Sequence, residues 1–207
     1  MKWRTLAGLL CAALAVALGL LAADVSSWRS AFMRDDIRFR ALPRHHDLWQ
    51  PSTILPGDPA SALLGTSSSV RWREALQSFA ATQTLTGVQS ATKGPALRAS
   101  AQQRLLTQLA AAPTKSQRSQ AANLLGVLVV TTPSIANDPS AITQTLTRSA
   151  EYFQEAIALD PSNNDAKENL ELVLRLTKPG KGKIGNDARS GYGFGKGQGI
   201  GNQGGGY

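Results

Sequence analysis

Cysteine is nearly absent from this chain, histidine is scarcely better represented, and aromatic residues make up only 6% of it. The single cysteine, Cys11, lies inside an apolar run. No intramolecular disulfide can form and no thiolate metal site can be assembled, so the fold has to stand on packing. Leu9 and Leu10 precede that cysteine, where a lipid-modified one would need small residues. The two histidines are neighbours, His45 and His46, followed by Asp47. Adjacent side chains in an extended segment point to opposite sides, and without a third histidine a metal site would need distant carboxylates. No serine elbow, Cys-His pair or helical His-Glu-x-x-His motif is present. The expectation is a non-enzymatic protein with no metal and no cofactor.

Charge is also missing from one place in particular. Lys2 and Arg4 are followed by Thr5 to Ala23, "TLAGLLCAALAVALGLLAA", without a charged residue. As a helix this run spans roughly 28 Å, close to the thickness of a hydrocarbon core. A cleaved signal peptide is the rival reading, since "LLAAD" offers small residues at a cut. Signal h-regions are usually shorter, about 7 to 15 residues, and the length favours an uncleaved anchor. In either case Lys2 and Arg4 hold the N-terminus in the cytoplasm and deliver the chain beyond Asp24 to the outside. A single-pass cell-membrane protein is expected.

The 207 residues carry a net charge of +8, unevenly spread. Residues 67–120 hold seven basic side chains and one acidic, and 121–177 hold three basic and seven acidic. The two stretches either face one another or leave a basic face for an anionic partner.

Beyond the apolar run, hydrophobic residues recur at helical spacing. Residues 24–41 place Trp28, Phe32 and Phe39 on one stripe, with Ser26 or Ser27 as a cap. The adjacent Asp35 and Asp36 read as a solvated face, since neighbours on a helix point about 100° apart. Prolines at 43, 51, 56 and 59 make 42–69 an irregular crossing with one short helix at 58–64. Helices follow at 70–83 (Trp72, Leu76, Phe79, Ala80), at 95–112 opening on Pro95 (Ala101, Leu105, Leu109), at 116–130 (Ala121, Leu124, Leu125, Leu128) and at 139–159 (Ile142, Leu146, Ala150, Phe153, Ile157). Pro161 stops the last of these, and Ser162 with Asp165 resembles a capping box. A final helix then carries Ala166, Leu170, Val173 and Leu174 on one face, leaving Lys167, Glu168, Glu171 and Arg175 to water. Helices greasy along one stripe and joined by short connections pack antiparallel.

The spacing Ser149, Phe153, Ala156, Pro161 resembles the second helix of a tetratricopeptide repeat, and Leu125, Gly126 and Val129 serve as its first. Ala122 stands where the repeat has a large aromatic, and Gly126 lies about a dozen residues too far from Ser149. The apolar N-terminal segment, "RSQAANLLGVL", "NNDAKENLELVLRL" and the terminal "GGGY" together resemble actinobacterial membrane-anchored, tetratricopeptide-like proteins that accompany MoxR-type AAA+ ATPases and von Willebrand A domain proteins. The resemblance implies an accessory or scaffold role in an envelope-associated assembly, with those proteins as partners.

The expected architecture is therefore all-α: an anchor at 1–23, a membrane-proximal helix and proline-rich crossing at 24–69, a tetratricopeptide-like array of antiparallel helix pairs at 70–177, and a glycine-rich basic tail at 178–207. The tail has twelve glycines in thirty residues and almost no aliphatic side chains, so burial cannot repay its ordering and disorder is expected. Its alternating glycines match neither a dinucleotide loop nor a P-loop in context or spacing. It is either a soluble tether or a docking segment through Tyr192, Phe194 and Tyr207; delivery outside the cytoplasm argues against nucleic acid. Asn169 resembles the asparagine that lines the ligand groove of such repeats, with exposed polar filler as the alternative. Arg98, Arg104, Lys115 and Arg118 are candidates for a patch that meets an acidic partner. The leading function is a helical adaptor that binds other membrane or envelope proteins. The alternative is an electrostatic binder of anionic envelope polymer or lipid headgroups.

Overall fold

The computed structural model describes residues 2–42, 47–85, 87–132 and 138–177, and all regular structure among them is helical. The helices are α1 (Lys2–Ala41), α2 (Pro59–Leu64), α3 (Thr66–Gln83), α4 (Gly87–Ala111), α5 (Lys115–Val130), α6 (Pro139–Leu159) and α7 (Asn164–Thr177). They fall into two compact units, residues 1–87 and 88–207. His45 and His46 lie outside the described residues, as does the whole of 178–207 with Tyr192, Phe194 and Tyr207.

In the first unit α1 is one unbroken helix of 40 residues, about 60 Å long. Its apolar part is long enough to cross a membrane and is covered by no other element. No proline interrupts residues 2–41, so nothing forces the break expected at Ser26 or Ser27. Ser27 instead donates from Oγ to the Ser52 carbonyl. From Asp24 onward the helix is covered on one side by the segment 47–58, which returns along it. Asp24, fully buried, accepts from the backbone N–H of Ile54 at 2.7 Å and of Leu55 at 3.0 Å. Trp28 Nε1 donates to the Asp58 carboxylate at 3.0 and 3.2 Å, and Asp58 also caps α2 through Ser61 N.

Asp35 and Asp36 do not form a solvated face. Asp35 is 2% exposed and accepts from Trp49 N at 2.9 Å, with Arg34 and Arg38 beside it. Asp36 accepts from Trp49 Nε1 at 2.7 Å and is gripped at both oxygens by Arg73, whose guanidinium lies 4.5 Å from the Phe32 ring. The two carboxylates clamp a tryptophan with φ of 58°, a left-handed backbone that a bulky side chain adopts only when its surroundings impose it. Phe39 packs edge-on against the same indole, ring centres 5.5 Å apart. The short helix expected at 58–64 is present as α2. Gly65, at φ 61°, ends it and leads straight into α3, which starts four residues earlier than its apolar pattern announces.

α4 begins at Gly87, the last residue of the first unit, and otherwise belongs to the second; Pro95 sits inside it rather than opening it. A proline in a helix interior removes one N–H and does not by itself prevent an earlier turn from forming. Ala101, Leu105 and Gln108 are its buried edge, continued by Ala112 just past its end. α5 and α6 match the expected bounds to within a residue, capped by the side chains of Thr114 and Asp138, and the "VLVV" of α5 is helical. They run antiparallel: Ser119 Oγ donates to the Ala156 carbonyl and, seven residues on, Ser149 Oγ donates to the Gly126 carbonyl, both at 2.7 Å. Ala122, Ala156 and Ala166 bring α5, α6 and α7 together at one point, with Leu109 of α4 and Ile157 packed around them. Small side chains there allow the helix axes to approach closely.

α7 departs from expectation in two respects. Its cap is Asn163, whose Oδ1 accepts from Ala166 N, whereas Ser162 donates from N and Oγ to Asp160 in the preceding turn. Ala166 and Val173 are buried as expected, but Asn169 completes the buried edge while Leu170 is half-buried and Leu174 is left 45% exposed.

Gly126 is the tightest point of the second unit. A Cβ there would meet Phe153 ring carbons at 2.5 to 2.8 Å. Gly126→Ala is expected to cost about 1–3 kcal/mol by overpacking, and Phe153→Ala about 3–5 kcal/mol by cavity formation. In the Phe153→Ala background the glycine substitution loses most of its effect. Chemical unfolding of the full-length chain in micelles, followed by circular dichroism, reads all three; additive losses would show that the ring and the glycine are not in contact.

Candidate functional site

The second unit offers a shaped surface because three helices meet through a polar seam as well as an apolar one. Ser119 Oγ, fully buried, donates to α6 and accepts from Asn163 Nδ2 at 2.8 Å, while Asn163 caps α7. One turn further along α5, Asn123 Oδ1 accepts from Asn169 Nδ2 at 3.0 Å. The contacts advance the same way along both chains, Asn163 to Ser119 and then Asn169 to Asn123, so α5 and α7 run parallel, with α6 antiparallel to both. Buried amide pairs tolerate little sliding, since a shift leaves donor and acceptor unpaired. The seam therefore fixes which faces of α5 and α7 point outward.

Asn169 accordingly sits inside the α5–α7 contact and is not exposed polar filler. Sequence spacing placed it on the correct helix. Its partner, 46 residues earlier, is beyond any local pattern. The four candidate basic residues do not form a single face. Lys115 and Arg118 share the first turn of α5, exposed and half-buried respectively. Arg98 and Arg104 lie six residues apart on α4, about 240° round the helix from each other. Arg104 is exposed and engaged in an interaction of its own, and Arg98 is half-buried.

Two features escaped the sequence reading. The motif Asp-Pro-Ser occurs at both ends of α6, at 138–140 and 160–162. In each, the serine N–H and Oγ both donate to one aspartate oxygen, and these bonds hold the Asp138 and Asp160 carboxyls below the ordinary aspartate range. Ionised turns of this kind are favoured above the ordinary aspartate pKa and are lost as pH falls through the lowered one. The other feature is the uncovered aliphatic edge of α7, where Leu174 and Leu176 are exposed and Leu170 is half-buried, flanked by Glu171 and Arg175, which pair with each other. Among the described residues no three of His, Cys, Asp and Glu group as a metal ion would require.

No protein-family model matches this chain, and no curated protein or solved structure shows a match to it.

The Asn123–Asn169 pair is testable by a mutant cycle. Asn169→Ala leaves the buried Asn123 acceptor unpaired and is expected to lower stability by about 1–3 kcal/mol; Asn123→Ala leaves the Asn169 donor unpaired at a similar cost, and the double variant loses less than the sum. Additivity in thermal unfolding of the three variants would show that the two amides act independently.

Proposed function

We propose that this chain is a non-enzymatic, membrane-anchored helical adaptor: α1 holds it in the cell membrane with residues beyond Asp24 outside, and the α5–α6–α7 stack presents a face to another protein of an envelope-associated assembly. The observation that carries the reading is the open aliphatic edge of α7. A helix whose buried edge packs on α5 and α6 while Leu174 and Leu176 face water has room for one more helix or strand on that side. The lipid-length stretch of α1 supplies the anchor, and Lys2 and Arg4 supply its orientation by the bias of basic residues to the cytoplasmic side.

In this proposal the stack is a degenerate tetratricopeptide-like pair followed by a capping helix. Gly126 and Phe153, the small and aromatic positions of the repeat spacing, lie against one another, and Ser149 reaches the Gly126 carbonyl. The eight residues between the end of α5 and the start of α6 make the connection longer than the repeat pattern. By resemblance, the partners are von Willebrand A domain and MoxR-type proteins.

Affinity capture from membranes with the full-length chain, washed first at low salt and then at about 1 M, where screening is nearly complete, tests the adaptor. The expected result is one dominant protein retained at high salt and lost with Leu174→Glu, an exposed position whose change leaves the fold intact. Release of all bound material by salt, with Leu174→Glu behaving as the parent, would favour binding of anionic polymer or headgroups through residues such as Lys115 and Arg118 instead.

A further inference from the structure

Between residues 52 and 64 the first unit exposes three large aliphatic side chains: Ile54 at 62%, Leu63 at 69% and Leu64 at 42%. Their height along α1 is fixed by hydrogen bonds. Asp24, the first charged residue after the apolar run, binds the N–H of Ile54 and Leu55; Ser27 binds the Ser52 carbonyl; Trp28 binds Asp58. Residues 52–58 thus lie against Asp24 to Trp28, a stretch of helix that rises only about 6 Å. The polar layer between the hydrocarbon core and bulk water is itself about 5–7 Å thick on each side of a bilayer. α2 starts from Asp58 at the same level and is only about 9 Å long, so Leu63 and Leu64 remain close to it.

Resting on the reading of α1 as a retained membrane-spanning helix, we propose that residues 52–64 form a second, non-spanning membrane contact, with Ile54, Leu63 and Leu64 entering the headgroup–acyl boundary of the outer leaflet. The backbone is prepared for such a place. Unpaired N–H groups are costly where water is scarce, and the N–H groups of Ile54 and Leu55 are both taken up by Asp24. The same two bonds neutralise the demand of the Asp24 carboxylate for water at the point where the helix leaves lipid. Trp28, buried at this level, hands its indole N–H to Asp58 and so ties the start of α2 to the same stretch of α1. An exposed isoleucine held here by its own and the following residue's N–H bonds to Asp24 has the lipid surface as its nearest neighbour.

Depth measurement on the full-length chain in phosphatidylcholine–phosphatidylglycerol nanodiscs tests this. In a Cys11→Ser background, single nitroxide labels at Ile54→Cys and Leu63→Cys are compared with Ala13→Cys, inside the apolar run, and Ala158→Cys, exposed on α6. The ratio of collision rates with oxygen and with a water-soluble nickel chelate is expected at 54 and 63 to lie severalfold above that at 158 and below that at 13. Ratios at 54 and 63 equal to that at 158, with 13 in lipid, would overturn the second contact while leaving the anchor standing. Exclusion of both reagents from 54 and 63 would mean that protein covers them, a further partner or a second copy, and would overturn it equally. A water-like ratio at 13 would remove the anchor, and the second contact with it.

Discussion

The arrangement of the first unit depends on what happens at Asp24. A helix in hydrocarbon satisfies its own backbone and shows apolar side chains all round; a helix in water must cover one side and leave the other polar. α1 carries an all-round apolar stretch long enough to cross a membrane and a one-sided stretch in a single unbroken helix, and the change falls where the Asp24 carboxylate takes two backbone N–H groups from the returning chain. The contact repeats in other forms further out: Asp35 and Asp36 hold Trp49, and Asp58 holds Trp28. Four aspartates thereby fasten an irregular, proline-rich segment that has no hydrophobic periodicity to fold it.

The second unit is built on a different economy. Its helices carry alanine, serine and glycine where they cross, so backbones come close and a single phenylalanine ring, lying on Gly126, fills the gap that a larger residue would otherwise occupy. Close approach also lets serine and asparagine side chains reach carbonyls and amides of the neighbouring helix. Those bonds fix register, and the last helix keeps an aliphatic edge with no described element over it. The strapped segment of the first unit and the helical stack of the second are thus held by separate physics.

The helices were legible wherever local chemistry set their ends. Asp138-Pro139 and Pro161 bracket α6 to the residue, and Thr114 starts α5. The α7 cap was missed by one position because Ser162 and Asn163 are both good caps and only the turn around Asp160 decides between them. Its inward face was misjudged because hydrophobicity favours Leu174 over Asn169, while the structure buries the amide against Asn123. The paired aspartates were read as solvated since their partners, Trp49 and Arg73, lie 13 to 37 residues away. Of the candidate site, the sequence located Asn169 and the basic residues individually but could not show that Lys115 and Arg118 alone share a turn. The open edge of α7 depends on packing and had no sequence signal beyond the helix's own amphipathicity.

The most direct test of the central claim, that α1 is a single helix carrying the ectodomain from the lipid, is the intact mass of the chain purified from membranes after an alkaline wash. Retention in the membrane pellet with a mass that includes residues 1–23 is the predicted result. A mature chain that begins near Asp24 and is released by the wash would contradict it.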